Sequence, residues 1–590
     1  MGRDDGRALR LRAFLVATLV LAAACSGSDD GDGDGGGVQT AAAQGGPCAF
    51  QEIDPNVYGH EELQNPPNLR PRRGVLDTDL SVRYTKKSET SIAGCPVKLR
   101  TYNGELVGPT LRLRPGDTLD LALHNDLPAQ SKASVRADRK QESDNAYIAT
   151  VPHPFNTTNL HTHGLHVSPR ANGDNVLLAV PPQTTQPYHI EIPDDHPPGT
   201  YWYHAHGHGS TAVQVGSGMA GTIIIEDGDD VPPALAAATE REKVMLFGTI
   251  LYDAQGKVDD ITAFFPGPNP QDCAEGKSSC TWQSSHRRTT INGQIVPRIY
   301  MRPGEVQRWR MIDGGFRESL ELQLDDHSLH EIALDGLYLG RVDSWGPDET
   351  IELQPGYRSD VLVQASMQEG TYRLRDVPTS ASESLHPVEE DGEVLAEVVV
   401  EGEPLDMKLP TDHEMNPLAP FPGANLEHEA VGVQVATFKI GQDALASPRN
   451  YFHINFAAFD PKRVRRLPLG AVEQWSLSTI GDPAGVPGRE APREARPIPS
   501  LPHVFHIHVN PFQMERAGPG GKSQRVWKDT VLVPQTASPQ EPLNVYTKYD
   551  DFTGKFVFHC HILDHEDLGM MEALKVVRPG AVIDQPPVDH

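Results

Sequence analysis

Four His-x-His pairs stand out in the chain: His161/His163 in "NLHTHGLH", His204/His206 in "WYHAHGHG", His506/His508 in "HVFHIHVNPF" and His559/His561 in "FHCHIL". Residues two apart on a strand point to one face, so each pair can present two imidazoles to one place. Neutral imidazole suits copper, zinc, iron and nickel. One such pair carries little weight; four, at matching places in two parts of a repeat, imply a shared metal cluster. The last pair brackets Cys560, which then points to the opposite face and can bind a separate ion. His565, His503 and Met570 can complete that second site. Two imidazoles, a thiolate and a weak axial thioether form the blue-copper ligand set, which is atypical for zinc. The thiolate site and the cluster would lie on the order of 10 Å apart along the strand. An electron collected at Cys560 can pass to a store of several ions, which suits reduction of O2 to water without release of partly reduced oxygen. His153, His166 and His208 sit beside the motifs and are expected to support the ligands or lie at the surface.

Such a cluster needs strands from separate modules brought to one seam, and the chain repeats itself accordingly. "TYNGELVGPTLRLRPGDTLDL" from Thr101, "TINGQIVPRIYMRPGEVQRWRMI" from Thr290 and "HINFAAFDPKRVRRLPLGAVEQWSL" from His453 share an Asn, a Pro, a Pro-Gly or Pro-Leu-Gly turn and an alternating strand. "GTYWYHAH" from Gly199, "GTYRLRDV" from Gly370 and "GKFVFHCH" from Gly554 form a second trio. Repetition at this scale means tandem domains, and short strands with frequent turns predict an all-β chain of β-sandwiches. In the second trio His204, Arg375 and His559 correspond, as do Ala205, Asp376 and Cys560, and His206, Val377 and His561. The outer units therefore carry the chemistry, Thr158 stands where the first unit would need a counterpart of His503, and the middle unit reads as a spacer. Linker-like stretches place the boundaries near 236 and 410, giving domains 48–235, 236–410 and 411–580 with a tail 581–590.

The 590 residues exceed one core, and 51 Pro with 53 Gly fit turns better than long helices. A net charge of −28 disfavours a nucleic-acid partner and serves solubility. Residues 1–25 read as an export signal: Arg3, Arg7, Arg10 and Arg12, an apolar run Ala13 to Ala24, then Cys25. "LAAAC" resembles a bacterial lipoprotein box, which makes Cys25 a lipid anchor and the only tie to a membrane; plain cleavage is the alternative. Either route places the protein outside the cytoplasm, periplasmic or secreted. Residues 26–47 form an acidic, Gly-rich tether. Cys48, Cys95, Cys273 and Cys280 can form two disulfides of undetermined pairing, which leaves Cys560 unpaired.

Together, "HTHG", "HAHG", "HVFHIHVNPF" and "HCHILDHEDLGMM" resemble the three-domain multicopper oxidases, the laccase-like family, over roughly residues 50 to 580. The resemblance implies three tandem cupredoxin-like Greek-key β-sandwich domains and four copper ions per chain. It implies type 1 copper at His503, Cys560, His565 and Met570, type 2 copper at His161 and His506, and a type 3 pair at His163, His204, His206, His508, His559 and His561. The family delivers protons to oxygen through carboxylates. Glu566 matches one such position, and Asp174 in "ANGDNV" is a candidate for the other, with a plain turn residue as the equal alternative. A Met at the axial position implies a moderate potential. The implied partners are O2 and a small reducing substrate, acting on a monomer. Electrons would enter near His503 and His565, where the Pro-, Arg- and Glu-rich segment "GDPAGVPGREAPREARPIPS" can overhang the site. Eleven Met without a cluster favour phenols and aromatic amines as donors over cuprous or manganous ions. Alternatives are a metal-ion oxidase, a copper-binding protein without turnover, and a relative that has lost its coppers.

Overall fold

The computed structural model of the chain describes residues 61–129, 155–252, 256–258, 287–380, 384–385, 390–442, 450–482 and 499–579. The signal segment, the tether, the 581–590 tail, Cys25, Cys48, Cys273, Cys280, His153 and most of the segment 481–500 lie outside them.

The fold is all-β, and among the described residues each repeat forms two main sheets, the first adding a small two-stranded one, Ser91–Ile92 with Cys95–Pro96. The first repeat pairs a four-stranded sheet with a five-stranded one, and the second and third each pair a six-stranded sheet with a five-stranded one. The second trio of motifs forms equivalent strands, Gly199–His204, Gly370–Asp376 and Gly554–Cys560. Each runs antiparallel to the strand that follows it, Ala220–Ile225, Glu393–Val400 or Met571–Val577. Each also pairs antiparallel with an earlier strand, His161–His163, Leu320–Leu324 or His503–Ile507. The following strands in turn run parallel to Thr110–Leu113, Arg298–Met301 and Val464–Pro468.

The repeated Asn has a structural cause. Asn103, Asn292 and Asn455 all take positive φ (56°, 55° and 51°), a conformation that Asn tolerates better than most residues. The side-chain oxygen of each accepts a main-chain N–H from a neighbouring strand, Ser81 at 2.9 Å, Leu246 at 3.0 Å and Thr437 at 3.0 Å. The repeated turn works the same way: Gly116, Gly304 and Gly470 have φ of 84°, 74° and 86°, which only Gly adopts without strain. Each turn launches a strand whose inward residues fill the core, Leu121, Trp309 and Trp475 among them, all buried.

Register then fixes where the imidazoles go. In the first sandwich His204 lies directly opposite His161, and in the third His559 lies opposite His506. The equivalent pair in the second sandwich is Arg375 opposite Gln323. Two short helices close the seam, Thr211–Val215 from the first repeat and Leu563–Asp567 from the third. The carboxylate of Asp567 accepts the N–H groups of Gly209, Thr211 and Ala212.

Candidate metal centre

All eight imidazoles of the His-x-His pairs are buried and meet in one place. Rings from the first sandwich stack on rings from the third: His161 on His508 and His163 on His506, each with centroids 3.8 Å apart. Ring nitrogens of His206, His508 and His559 form one group in which a metal ion can be held, and those of His163, His204 and His561 a second. His161, His163 and His506 form a third group, which shares His163. In the first group the Nε2 atoms of His206 and His508 lie 3.1 Å and 3.3 Å from that of His559. That is the spacing of nitrogens around a shared ion held at roughly 2 Å.

The hydrogen bonds show which nitrogen each ring offers. Nδ1 donates from His161 to Asp174 Oδ2 (2.9 Å), from His204 to Ala205 O (2.9 Å), from His506 to Asp529 O (2.8 Å) and from His559 to Cys560 O (3.0 Å). His163 is reversed, with Nε2 donating to Asp529 Oδ1 at 3.1 Å. A neutral imidazole has one donor, so the opposite nitrogen of each is a bare acceptor. His161 Nε2, His163 Nδ1, His204 Nε2 and His506 Nε2 are such atoms, buried and without a protein partner. Burial pushes these rings below the usual histidine range, with neighbouring imidazoles adding to it at His161, His163, His204 and His506; His204 falls to about 3, and burial takes His559 to about 4. Buried acceptors aimed at one another cost free energy unless a cation lies among them. The residues fit a metal cluster.

Cys560 is a free, buried cysteine, as expected of a ligand, while Cys95 is disulfide-bonded. Its Sγ lies 3.6 Å from His503 Nδ1 and 3.8 Å from His565 Nδ1. Met570 is also buried, and its main-chain oxygen accepts the Cys560 N–H at 3.0 Å. Burial pushes the thiol up to about 12, so the metal-free site keeps its proton and a thiophilic ion must displace it. Phe438 stacks on His503 and Phe452 packs against His565, which holds both rings in an apolar wall. Two nitrogens and a soft sulfur in such a wall fit copper. Among the described residues the first sandwich has no counterpart: Ala205 stands for the Cys, and Thr158 donates to Gln214 Oε1 at 2.7 Å.

Both candidate carboxylates border the histidine cluster. Asp174 accepts from His161 Nδ1 and from the Thr162 N–H at 2.8 Å, and burial raises it to about 7. It is 2% exposed, so it is a buried partner of a ring rather than a free turn residue. Glu566 Oε1 accepts from Thr211 Oγ1 at 3.1 Å and lies 3.3 Å from His206 Nδ1, while its Oε2 lies 3.2 Å from His559 Nδ1. Burial, with the Asp567 charge beside it, pushes Glu566 well above the usual carboxylate range. His166 supports the seam, with Nδ1 donating to Val509 O at 2.8 Å, and His208 packs on Phe459. Sequence reasoning missed Asp529, Phe438 and Phe452, none of which belongs to a ligand motif, and Asp567, which lies inside "HCHILDHEDLGMM" but holds no ring. It also misjudged the middle unit. Gly356 of that unit sits against His163 and His561, where a Cβ would come within 3.1 Å of both rings, so the middle sandwich walls the cluster instead of only spacing its neighbours. Phe316 O, also of the middle unit, accepts the Leu563 N–H at 2.9 Å, and Arg317 pairs with Asp564 at 3.0 Å beside His565.

Three cupredoxin-like sandwiches with an imidazole cluster at the seam of the outer two, and a thiolate site between the cluster's own ligands, define a class of copper proteins. Residues 139–230, 265–389 and 441–579, together more than half of the chain, each match a family model described as "Multicopper oxidase". The chain belongs to the multicopper oxidase family. A "Multicopper oxidase mco" of Staphylococcus haemolyticus is 24% identical over 490 residues, 80% of this chain and 83% of the relative. A "Laccase" of Bacillus stratosphericus is 24% identical over 501 residues, 82% of this chain and 91% of the relative. A solved structure described as "Multicopper oxidase from Campylobacter jejuni: a metallo-oxidase" superposes with a TM-score of 0.64 at 23% identity, covering 91% of this chain and 100% of that one. The protein is a copper-dependent oxidoreductase that uses O2.

Proposed function

We propose that the chain takes single electrons from phenols and aromatic amines at the Cys560 centre and delivers them to O2 at the histidine cluster, with four copper ions per chain. Type 1 copper belongs to His503, Cys560, His565 and Met570, type 2 to His161 and His506, and the type 3 pair to His163, His204, His561 and His206, His508, His559. When bound, copper supplies the one-electron steps that these side chains cannot perform themselves. The observation that carries the reading is the place of Cys560 in its strand. His559 belongs to one three-imidazole group and His561 to the other, so the thiolate is one residue from both halves of the cluster.

The protein's own groups do the remaining work. Turning O2 into two waters takes four protons, and Glu566 and Asp174 are buried carboxyls that can hold a proton beside the cluster at pH 7. Glu566, whose Oε1 accepts from Thr211 Oγ1, holds its proton on Oε2 and hands it inward along the side that faces His206 and His559. Phe438 and Phe452 keep water from the thiolate site. The test is oxygen uptake by the copper-loaded protein with a dimethoxyphenol. A second reading, oxidation of cuprous or manganous ions, is favoured by one feature: His503 and His565 are only 1% and 4% exposed, which suits a small donor. Fast oxygen uptake with Cu(I) or Mn(II) and none with any phenol selects it. Copper binding with no oxygen uptake from any donor leaves a protein that only holds copper.

A further inference from the structure

Among the described residues the middle sandwich gives no imidazole to the cluster, yet one of its side chains sits where all three sandwiches meet. Arg358, the first residue of the strand Arg358–Gln364, is fully buried. A guanidinium has five N–H donors, and here each has an acceptor. Nε donates to Thr200 O at 3.3 Å. Nη1 donates to Gly356 O at 3.0 Å and Asp529 Oδ1 at 2.7 Å. Nη2 donates to Asp335 O at 2.8 Å and Asp529 Oδ2 at 2.5 Å. Thr200 belongs to the first repeat, Gly356 and Asp335 to the second, and Asp529 to the third.

Asp529 is the link to the metal centre. Clamped through both oxygens by Arg358, it takes the Nε2 proton of His163 on Oδ1 at 3.1 Å and the Nδ1 proton of His506 on its main-chain oxygen at 2.8 Å. Thr530 Oγ1 lies 3.2 Å and 3.0 Å from the same two nitrogens. The inward atoms of these rings, His163 Nδ1 and His506 Nε2, are thereby left bare toward the cluster. Space is closed around the clamp. Gly164 of the "HTHG" motif has φ of 88°, and a Cβ there would come within 2.2 Å of Arg358 Nη2 and 2.7 Å of Asp529 Oδ2.

We infer that Arg358, from the sandwich without ligands, is a positioning residue that fixes the ring orientation and tautomer of His163 and His506 through Asp529. This rests on the proposed assignment of the cluster as a copper site. A lysine keeps the charge but cannot bridge both carboxylate oxygens while reaching Thr200, so it should not substitute. A buried arginine nearby separates positioning from mere adhesion. Arg308 pairs with Asp360 at 2.6 Å and with Asp227 at 2.7 Å, joining the first two repeats through carboxylates that make no hydrogen bond to an imidazole of the cluster.

The test compares Arg358→Lys, Arg358→Met and Arg308→Lys with the parent, each as copper-loaded full chain. Copper per chain, the blue band of the thiolate site, and the near-ultraviolet and electron paramagnetic resonance signals of the cluster are measured. Both Arg358 variants are expected to keep the blue band and lose cluster copper and cluster signals, whereas Arg308→Lys keeps both at parental ratio. Parental copper content and cluster spectrum in Arg358→Met overturn the inference. So does loss of the blue band in step with the cluster in both Arg358 variants, which would make Arg358 a folding residue only. A parent chain that loads the blue site and no cluster copper would instead refute the cluster assignment, before any variant is compared.

Discussion

Asp567 joins two domains through a helix end, and its removal should be felt at the amides it covers. Its carboxylate, from the third sandwich, accepts the N–H groups of Gly209 (2.7 Å) and Thr211 (3.0 Å) on one oxygen and Ala212 (2.8 Å) on the other, all from the first. No side chain of Ser210 caps that helix. Asp567→Ala leaves three buried donors unmade, and at about 1 kcal/mol or more for each the local cost is about 3 kcal/mol. A loss of about 3 kcal/mol in local opening free energy speeds hydrogen exchange by about 100-fold. Asp567→Asn keeps one acceptor oxygen and should show about 10-fold, from a loss near 1.4 kcal/mol. Exchange is the right readout because a chain of three sandwiches need not unfold in one step, whereas peptides covering 209–215 report the latch alone. The same helix supplies Thr211, whose hydroxyl donates to Glu566 Oε1 at 3.1 Å, so Asp567→Ala should also slow oxygen uptake under saturating donor. Exchange over 209–215 within about threefold of the parent would show that the carboxylate is not what holds this helix and would refute the reasoning.

Cys560→Ser should abolish the blue absorption and donor oxidation while the imidazole cluster still takes up copper; blue colour retained in that variant would falsify the thiolate assignment. His196 gives a pH dependence: burial lowers it from 6.5 to about 4, and its Nε2 accepts the His166 N–H at 3.0 Å while Nδ1 donates to Pro197 O. Its folded value lies below the unfolded one, so its contribution is complete above pH 6.5 and falls as pH drops toward 4, by about 3 kcal/mol in total. Unfolding midpoints followed from pH 7 to pH 4 should therefore drop further in the parent than in His196→Gln, and parallel curves would show that His196 carries no such linkage. Cys25→Ser should move the protein from the membrane fraction to the soluble one if Cys25 is lipidated; unchanged partition would point to plain cleavage.

The ligand motifs were readable in the sequence because strand alternation is local. One residue separates His559 from His561, and nothing distant is needed to know that Cys560 faces away from both. The threefold repeat was readable for a similar reason, since Asn103, Asn292 and Asn455 each serve a turn of the same shape. Asp174 marks the limit. It lies 13 residues from His161, a spacing that fits a turn as well as a partner, and only the fold shows its oxygens against His161 Nδ1. Asp529 and Arg358 lie beyond that limit. They are 171 residues apart, and Asp529 is 366 from the His163 ring that it holds. Periodicity marks Arg358 as polar within a strand and Asp529 as polar between two, but cannot say which buried arginine meets which buried carboxylate.

Reading the middle unit as a spacer followed from asking only where ligands are. A cluster assembled from two bodies needs each ring turned the right way when the bodies meet, and the rings cannot set this among themselves. The His163 ring hydrogen-bonds not to its own sandwich but to Asp529 of the third, and Asp529 is clamped by Arg358 of the second. The orientation of a first-domain ligand is thus decided only when all three sandwiches are in place. Copper loading should accordingly depend on the docked chain as a whole, with the thiolate site, whose His503, Cys560, His565 and Met570 all come from the third sandwich, the less sensitive of the two.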